Sequence, residues 1–197
     1  MLFVLVKGQT FPDSTVDPLL SMSILELLSG VNLQKENIKV VHLVRDPRTF
    51  VTSFMNWKSS SIKKKILHYF IPFWQPTPVF DKNISFIEKL KYNKFKQFCY
   101  VWRYKNHIIY NSLHLNNNYV IVRMEDIIKS ADRDENLLKL LKFLDLDIHN
   151  FNYDEFSSHK INKSEKNIFP KYEYWPMEYK EYLYNTCGKL MKQFGYH

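Results

Sequence analysis

Three short runs of β-type residues in this chain are apolar almost from end to end: "LFVLVK" at Leu2–Lys7, "IKVVHLV" at Ile38–Val44 and "YVIVRM" at Tyr119–Met124. A strand with one wet face alternates apolar and polar residues, whereas a run that does not alternate is covered on both faces. Helical patterns lie between and after these runs. "LLSMSILELLSG" (Leu19–Gly30) closes on a glycine, and "PRTFVTSFMNW" (Pro47–Trp57) opens on a proline suited to a first helical position. A long helix is predicted over Ser85–Leu115, with Phe95, Phe98, Cys99, Trp102, Ile109 and Leu113 on one broad face. "ENLLKLLKFLDLD" and the final stretch Pro176–Gly195 repeat the three- and four-residue spacing; the latter turns Tyr179, Leu183, Cys187, Leu190, Met191 and Phe194 inward. The alternation predicts an α/β fold, a parallel sheet flanked by helices, in one domain over 1–197.

Ligands of such sheets sit beyond the carboxyl ends of the strands. Arg45 and Lys7 both stand at predicted strand ends. The formal net charge of +8 favours anionic partners such as nucleotides, phosphate or sulfate esters and acidic glycans. The lysines are spread along the whole sequence, which argues against a nucleic-acid stripe and for no nucleic-acid partner. Cys99 and Cys187 fall on apolar helix faces and read as buried small hydrophobes; a pairing between them has no support in the sequence. No four-ligand zinc spacing occurs, so no metal is expected. The opening residues are too short an apolar stretch for a signal peptide, and no window reaches the roughly 20 apolar residues of a membrane span.

The segment "VVHLVRDPRTFVTSF" (Val40–Phe54) poses the main chemical question. A strand ending in Arg45 and passing straight into a helix can offer a phosphate a planar fork of donors, free helix N–H groups and the Ser53 hydroxyl. The same residues also suit a plain turn, in which Asp46 pairs with Arg45 or Arg48 and caps the helix.

"KVVHLVRDPRTFVTSF" resembles the 3′-phosphate-binding segment of the sulfotransferases that use PAPS, 3′-phosphoadenosine 5′-phosphosulfate. Its "VRDPR" is closest to the Golgi carbohydrate sulfotransferases and their bacterial relatives. Other segments agree in order. "LVKGQTF…DPLL" looks like the strand and leucine-rich helix upstream of that site. "YVIVRMEDIIKS" with the helix after it looks like the family's "RYEDL" strand, with Met124 where Tyr is usual. "CGKLMKQFGYH" looks like the closing "C…LM…LGY" helix.

The resemblance implies a P-loop-NTPase-like sulfotransferase fold. It implies a PAPS-dependent enzyme that moves a sulfuryl group to a hydroxyl of a carbohydrate or similar acceptor, in the Golgi lumen or membrane, with the cytoplasm as alternative. It carries Arg45 and Ser53 over as 3′-phosphate ligands. Arg48, Lys7 and Lys160 are weaker candidates for contact with the donor. The oligomeric state is left open.

Two family features are missing. The four glycines, Gly8, Gly30, Gly188 and Gly195, do not form the family's opening loop for the 5′-phosphosulfate, and no Walker-type G-x-x-x-x-G-K-[ST] occurs. The fold is therefore expected to be N-terminally incomplete, with activity of this chain alone in doubt. The runner-up is an inactive remnant that binds a 3′-phosphonucleotide or an acidic glycan. The Arg-Trp usual before the last helix is also absent, with "KYEYW" (Lys171–Trp175) in its place.

No general base is assigned. Glu26 reads as a solvated helix residue and His42 as a packed core histidine. Glu125 and Asp126 read as caps of the next helix or braces of the Arg123 strand. Lys63, Lys64 and Lys65, with Tyr69, Phe70 and Trp74, suit an acceptor sugar or a solvated basic loop equally. The stretch His159–Lys166 is a candidate cofactor cover.

Overall fold

The computed structural model describes the strand Leu2–Leu5 and residues 38–56, 94–128, 130–146 and 168–197. The predicted helix Leu19–Gly30, the basic-aromatic stretch Lys58–Asn83 and the polar stretch His159–Lys166 lie outside the described residues. So do Lys7, Glu26 and Lys160.

The described strands are β1 (Leu2–Leu5), β2 (Lys39–Val44) and β3 (Tyr119–Arg123), with β2 in the middle. β2 and β3 run parallel, from Val40 opposite Tyr119 to Val44 opposite Arg123. β1 departs from the expectation: it pairs antiparallel to β2, with Leu2 opposite His42 and Leu5 opposite Lys39. A continuous apolar run reports coverage of both faces and carries no information about direction. The consequence falls on Lys7. The carboxyl end of β1 lies beside the start of β2, at the end of the sheet away from Arg45, so the premise that grouped Lys7 with Arg45 does not hold. β2 is the covered strand, with Val40, Val41, His42 and Val44 all buried; β3 is half-buried along its length.

Helix α1 (Pro47–Asn56) follows β2 after two residues. Asp46 is its N-cap: its carbonyl accepts the Phe50 N–H at 2.8 Å and its carboxylate accepts the Arg48 N–H at 2.7 Å. Pro47 at the next position has no N–H to leave orphaned. Val51 faces the core. At the far end, buried Asn56 closes a two-bond clip with the Phe169 backbone, at 2.7 and 3.1 Å.

Helix α2 (Lys94–Leu113) buries all six residues assigned to its inner face. It packs on the last helix, which supplies Leu183, Cys187, Leu190, Met191 and Phe194 to the same core. Phe95 stacks on Tyr179 at 4.2 Å and meets the edge of Trp175 at 5.0 Å. Cys99 and Cys187 are both buried and free, and the Cys187 thiol donates to the Cys99 carbonyl at 3.3 Å. After β3 come a short helix α3 (Met124–Ile128) and α4 (Arg133–Phe143), whose Leu137 and Leu141 are buried. A single 3₁₀ turn (Tyr172–Tyr174) leads into α5 (Met177–Gln193).

The end of α5 sets up the site. Gly195 adopts φ 75°, the left-handed conformation that favours glycine. The Tyr196 N–H returns to the Met191 carbonyl and the Gly195 N–H to that of Lys192, the Schellman pattern. The chain is thereby turned back across the carboxyl ends of β2 and β3.

Candidate anion-binding site

His42, in the middle of β2, has no solvent exposure and a full set of partners. Asn106 Nδ2 donates to the Trp102 carbonyl at 2.7 Å, which leaves Asn106 Oδ1 as acceptor for His42 Nε2 at 2.8 Å. His42 Nδ1 then accepts the Tyr119 hydroxyl at 2.6 Å. Burial holds the imidazole neutral and drives its pKa down to about 3. This is the packed core histidine that the sequence suggests. The line continues toward the strand end, where the Trp102 indole N–H donates to the Arg45 carbonyl at 2.8 Å.

Arg45 is half-buried. Its Nε donates to Thr49 Oγ1 at 3.1 Å, and that is its one side-chain hydrogen bond among the described residues. Its two terminal amino groups carry no partner there. Burial lowers its pKa, and the nearby Glu125, Asp46 and Tyr196 oppose that shift. A cation held partly out of water with donors to spare is complemented by an anion.

The neighbouring arginines are not in that state. Arg48 grips both Asp46 carboxylate oxygens, with Nε at 2.9 Å from each and Nη2 at 2.6 Å from Oδ2, while Nη1 donates to the His197 carbonyl at 2.8 Å. Its guanidinium also lies 5.5 Å from the Tyr172 ring centre. Arg123 takes Asp126 in a two-pronged pair at 2.7 and 2.9 Å and gives Nη1 to the Gly195 carbonyl at 2.7 Å. Asp126 is thus the brace on the Arg123 strand that the sequence suggests.

One expectation needs correction. The start of α1 offers an anion fewer free N–H groups than the sequence implied. Pro47 has none, and the Asp46 carboxylate already takes the Arg48 N–H and complements the helix dipole. On α1 the Ser53 hydroxyl remains. Arg45 precedes the helix but its Nε bonds Thr49 Oγ1, and Ser53 lies four residues beyond Thr49 on the same helix side. Ser53 is exposed.

Sequence reasoning missed Thr49, Tyr196 and the reach of Glu125. Glu125 Oε1 accepts the Asp46 N–H at 3.1 Å, and Oε2 accepts the Tyr196 hydroxyl at 2.8 Å. The Tyr196 hydroxyl also lies 3.2 Å from the Val44 carbonyl. Burial, reinforced by the adjacent Glu125 carboxylate, pushes the Tyr196 phenol well up. These contacts join positions far apart in the chain, and no local spacing announces them.

The family model for the sulfotransferase domain matches residues 14–192. The chain belongs to the sulfotransferase domain family. No curated protein and no solved structure matches the chain. The matched span takes in β2, α1, β3 and nearly all of α5. The α/β arrangement, with parallel β2 and β3 flanked by helices, is in keeping with such a domain. A sulfotransferase domain moves a sulfuryl group from a small-molecule donor to an acceptor, so a site for an anionic donor is what its chemistry requires. Among the described residues there is no group of three or more His, Cys, Asp or Glu able to hold a metal. None of the described helices is long and apolar enough to cross a membrane.

Proposed function

We propose that this sulfotransferase domain uses PAPS as donor and that Arg45 and Ser53 hold its 3′-phosphate. The observation that carries the reading is the half-buried Arg45 guanidinium, whose terminal amino groups have no partner among the described residues, on the helix side shared with Ser53. Arg48, committed to Asp46 and His197, is a brace in this reading. We further propose one domain over 1–197, a carbohydrate acceptor met by the aromatic and basic stretch Lys63–Trp74, and a place in the Golgi, as the "VRDPR" wording suggests.

In the transfer, the bond between the sulfur and the oxygen bridging it to the 5′-phosphate breaks. A new sulfur–oxygen bond forms to the acceptor hydroxyl, whose proton passes to a base, and PAP leaves. Arg45 and Ser53 act at the far end of the donor. They bind and orient it, and the bond-breaking charge develops elsewhere.

Calorimetric titration with PAP tests the assignment. Binding should weaken by about 30- to 150-fold in Arg45→Ala and by about tenfold in Ser53→Ala, the scale of hydrogen bonds to a charged group. Undiminished binding in both would remove the site.

The second reading, a binding domain without transfer, is favoured by the absence of a glycine-rich phosphosulfate loop in these 197 residues. PAP binding combined with no sulfate transfer from PAPS to a panel of carbohydrates would select it.

A further inference from the structure

An arginine with one side-chain hydrogen bond among the described residues has to be held by something if it is to meet an anion in a fixed pose. Arg45 Nε–H points at Thr49 Oγ1, and that hydroxyl is itself committed, donating to the Asp46 carbonyl at 3.0 Å with Glu125 Oε1 at 3.5 Å. The lone pair that receives Arg45 is therefore oriented. The Asp46 peptide is fixed in turn by its N–H bond to Glu125, and Glu125 is fixed on its other oxygen by Tyr196. Glu125 is also the foremost charge countering the burial of Arg45, yet it makes no ion pair with it. It compensates the cation at a distance and does not occupy its terminal donors. Asp126, by contrast, consumes those of Arg123.

We infer that Glu125, locked by the Tyr196 hydroxyl, is a positioning residue that presets the Arg45 guanidinium for a phosphate group. The inference rests on the reading of Arg45 as the donor-binding arginine. It assigns the last turn of the chain, Gly195 to Tyr196, to the site as well as to the fold.

Two readouts test it. In the unligated protein, the Arg45 Nε–H resonance, assigned by its loss in Arg45→Ala, reports how firmly the side chain is held. PAP titration reports the site. Glu125→Ala and Tyr196→Phe should both speed exchange of that Nε–H with water, and should weaken PAP binding by about tenfold and about threefold respectively. Glu125→Gln keeps a group able to bond both partners and should restore both readouts to within about threefold of the native chain. Tyr196→Phe removes a single oxygen and keeps the test open if Glu125→Ala does not fold.

If Glu125→Ala and Tyr196→Phe leave exchange and affinity unchanged while Arg45→Ala weakens binding, the positioning role falls and the donor site stands. Tighter PAP binding in Glu125→Ala would likewise overturn it, since the carboxylate would then be only a competitor of the ligand. If Arg45→Ala binds PAP normally, the donor-site reading falls and takes the inference with it.

Discussion

β2 and β3 lie side by side and bring an arginine to the same end of the sheet. Arg123 closes β3 opposite Val44, and Arg45 follows Val44 directly. Each is trailed by acids, in "RDP" and "RMED". The outcomes are opposite. At β3 the acid three residues on, Asp126, wraps back onto Arg123, and the Gly195 carbonyl takes another donor. At β2 the acid is the next residue. It serves as the N-cap of α1 and pairs with Arg48, which leaves Arg45 with one side-chain hydrogen bond among the described residues. The spacing of the acid relative to the arginine thus separates a braced cation from one that keeps donors unused among the described residues.

The largest expected effect sits on that contrast. Arg45→Ala should cost PAP binding about 2–3 kcal/mol, the scale of hydrogen bonds to a charged group, with little change in stability. Arg123→Ala should do the reverse, lowering the unfolding midpoint and leaving affinity within about threefold. Equal losses of binding in the two would erase the distinction.

Next is acid. His42 lies under the β2 turn through Asn106 and Trp102. The unfolded chain takes up a proton at its imidazole near the ordinary 6.5, whereas the folded protein resists until about 3. The unfolded state therefore binds more protons across that window, and stability falls as pH drops through it, by up to about 1.4 kcal/mol per unit. Urea midpoints measured from pH 7 to pH 5 should decline in the native chain and flatten in His42→Gln. A flat native profile would mean that the buried line under β2 does not matter.

Gly195→Ala should then destabilise by about 1 kcal/mol, because it forces a Cβ into the left-handed region. That Cβ would also meet Arg123 Nη1 at 3.2 Å, so the strain falls on the β3 arginine. Thermal unfolding reads it. Arg48→Ala strips three bonds from the buried Asp46 carboxylate and should cost about 1–3 kcal/mol in stability; the smallest expected effect is on its PAP affinity, which should stay within about threefold. A large loss of affinity there would return Arg48 to the site.

Much of the architecture was legible because periodicity is a local signal. The faces of α2 and α5 and the Pro47 start of α1 all follow from residues near one another in the chain. His42 was legible from its apolar neighbours, and the Asp126–Arg123 brace as one of two readings, cap or brace, that the sequence left open. The direction of β1 was not, since its apolar residues fit either sense. Nor could local order decide whether Asp46 faces Arg45 or Arg48. That choice depends on the cap geometry and on a Glu125 bond spanning 79 positions.

The Tyr196 clasp also sets a timetable. Its hydroxyl reaches the Val44 carbonyl across 152 positions of sequence. At ribosomal speeds of about 5–20 residues per second, the arginine turn waits on the order of ten seconds between its own emergence and that of its lock. Until then the Glu125 carboxylate lacks its Tyr196 partner, so this bond can close only once the last helix has been made.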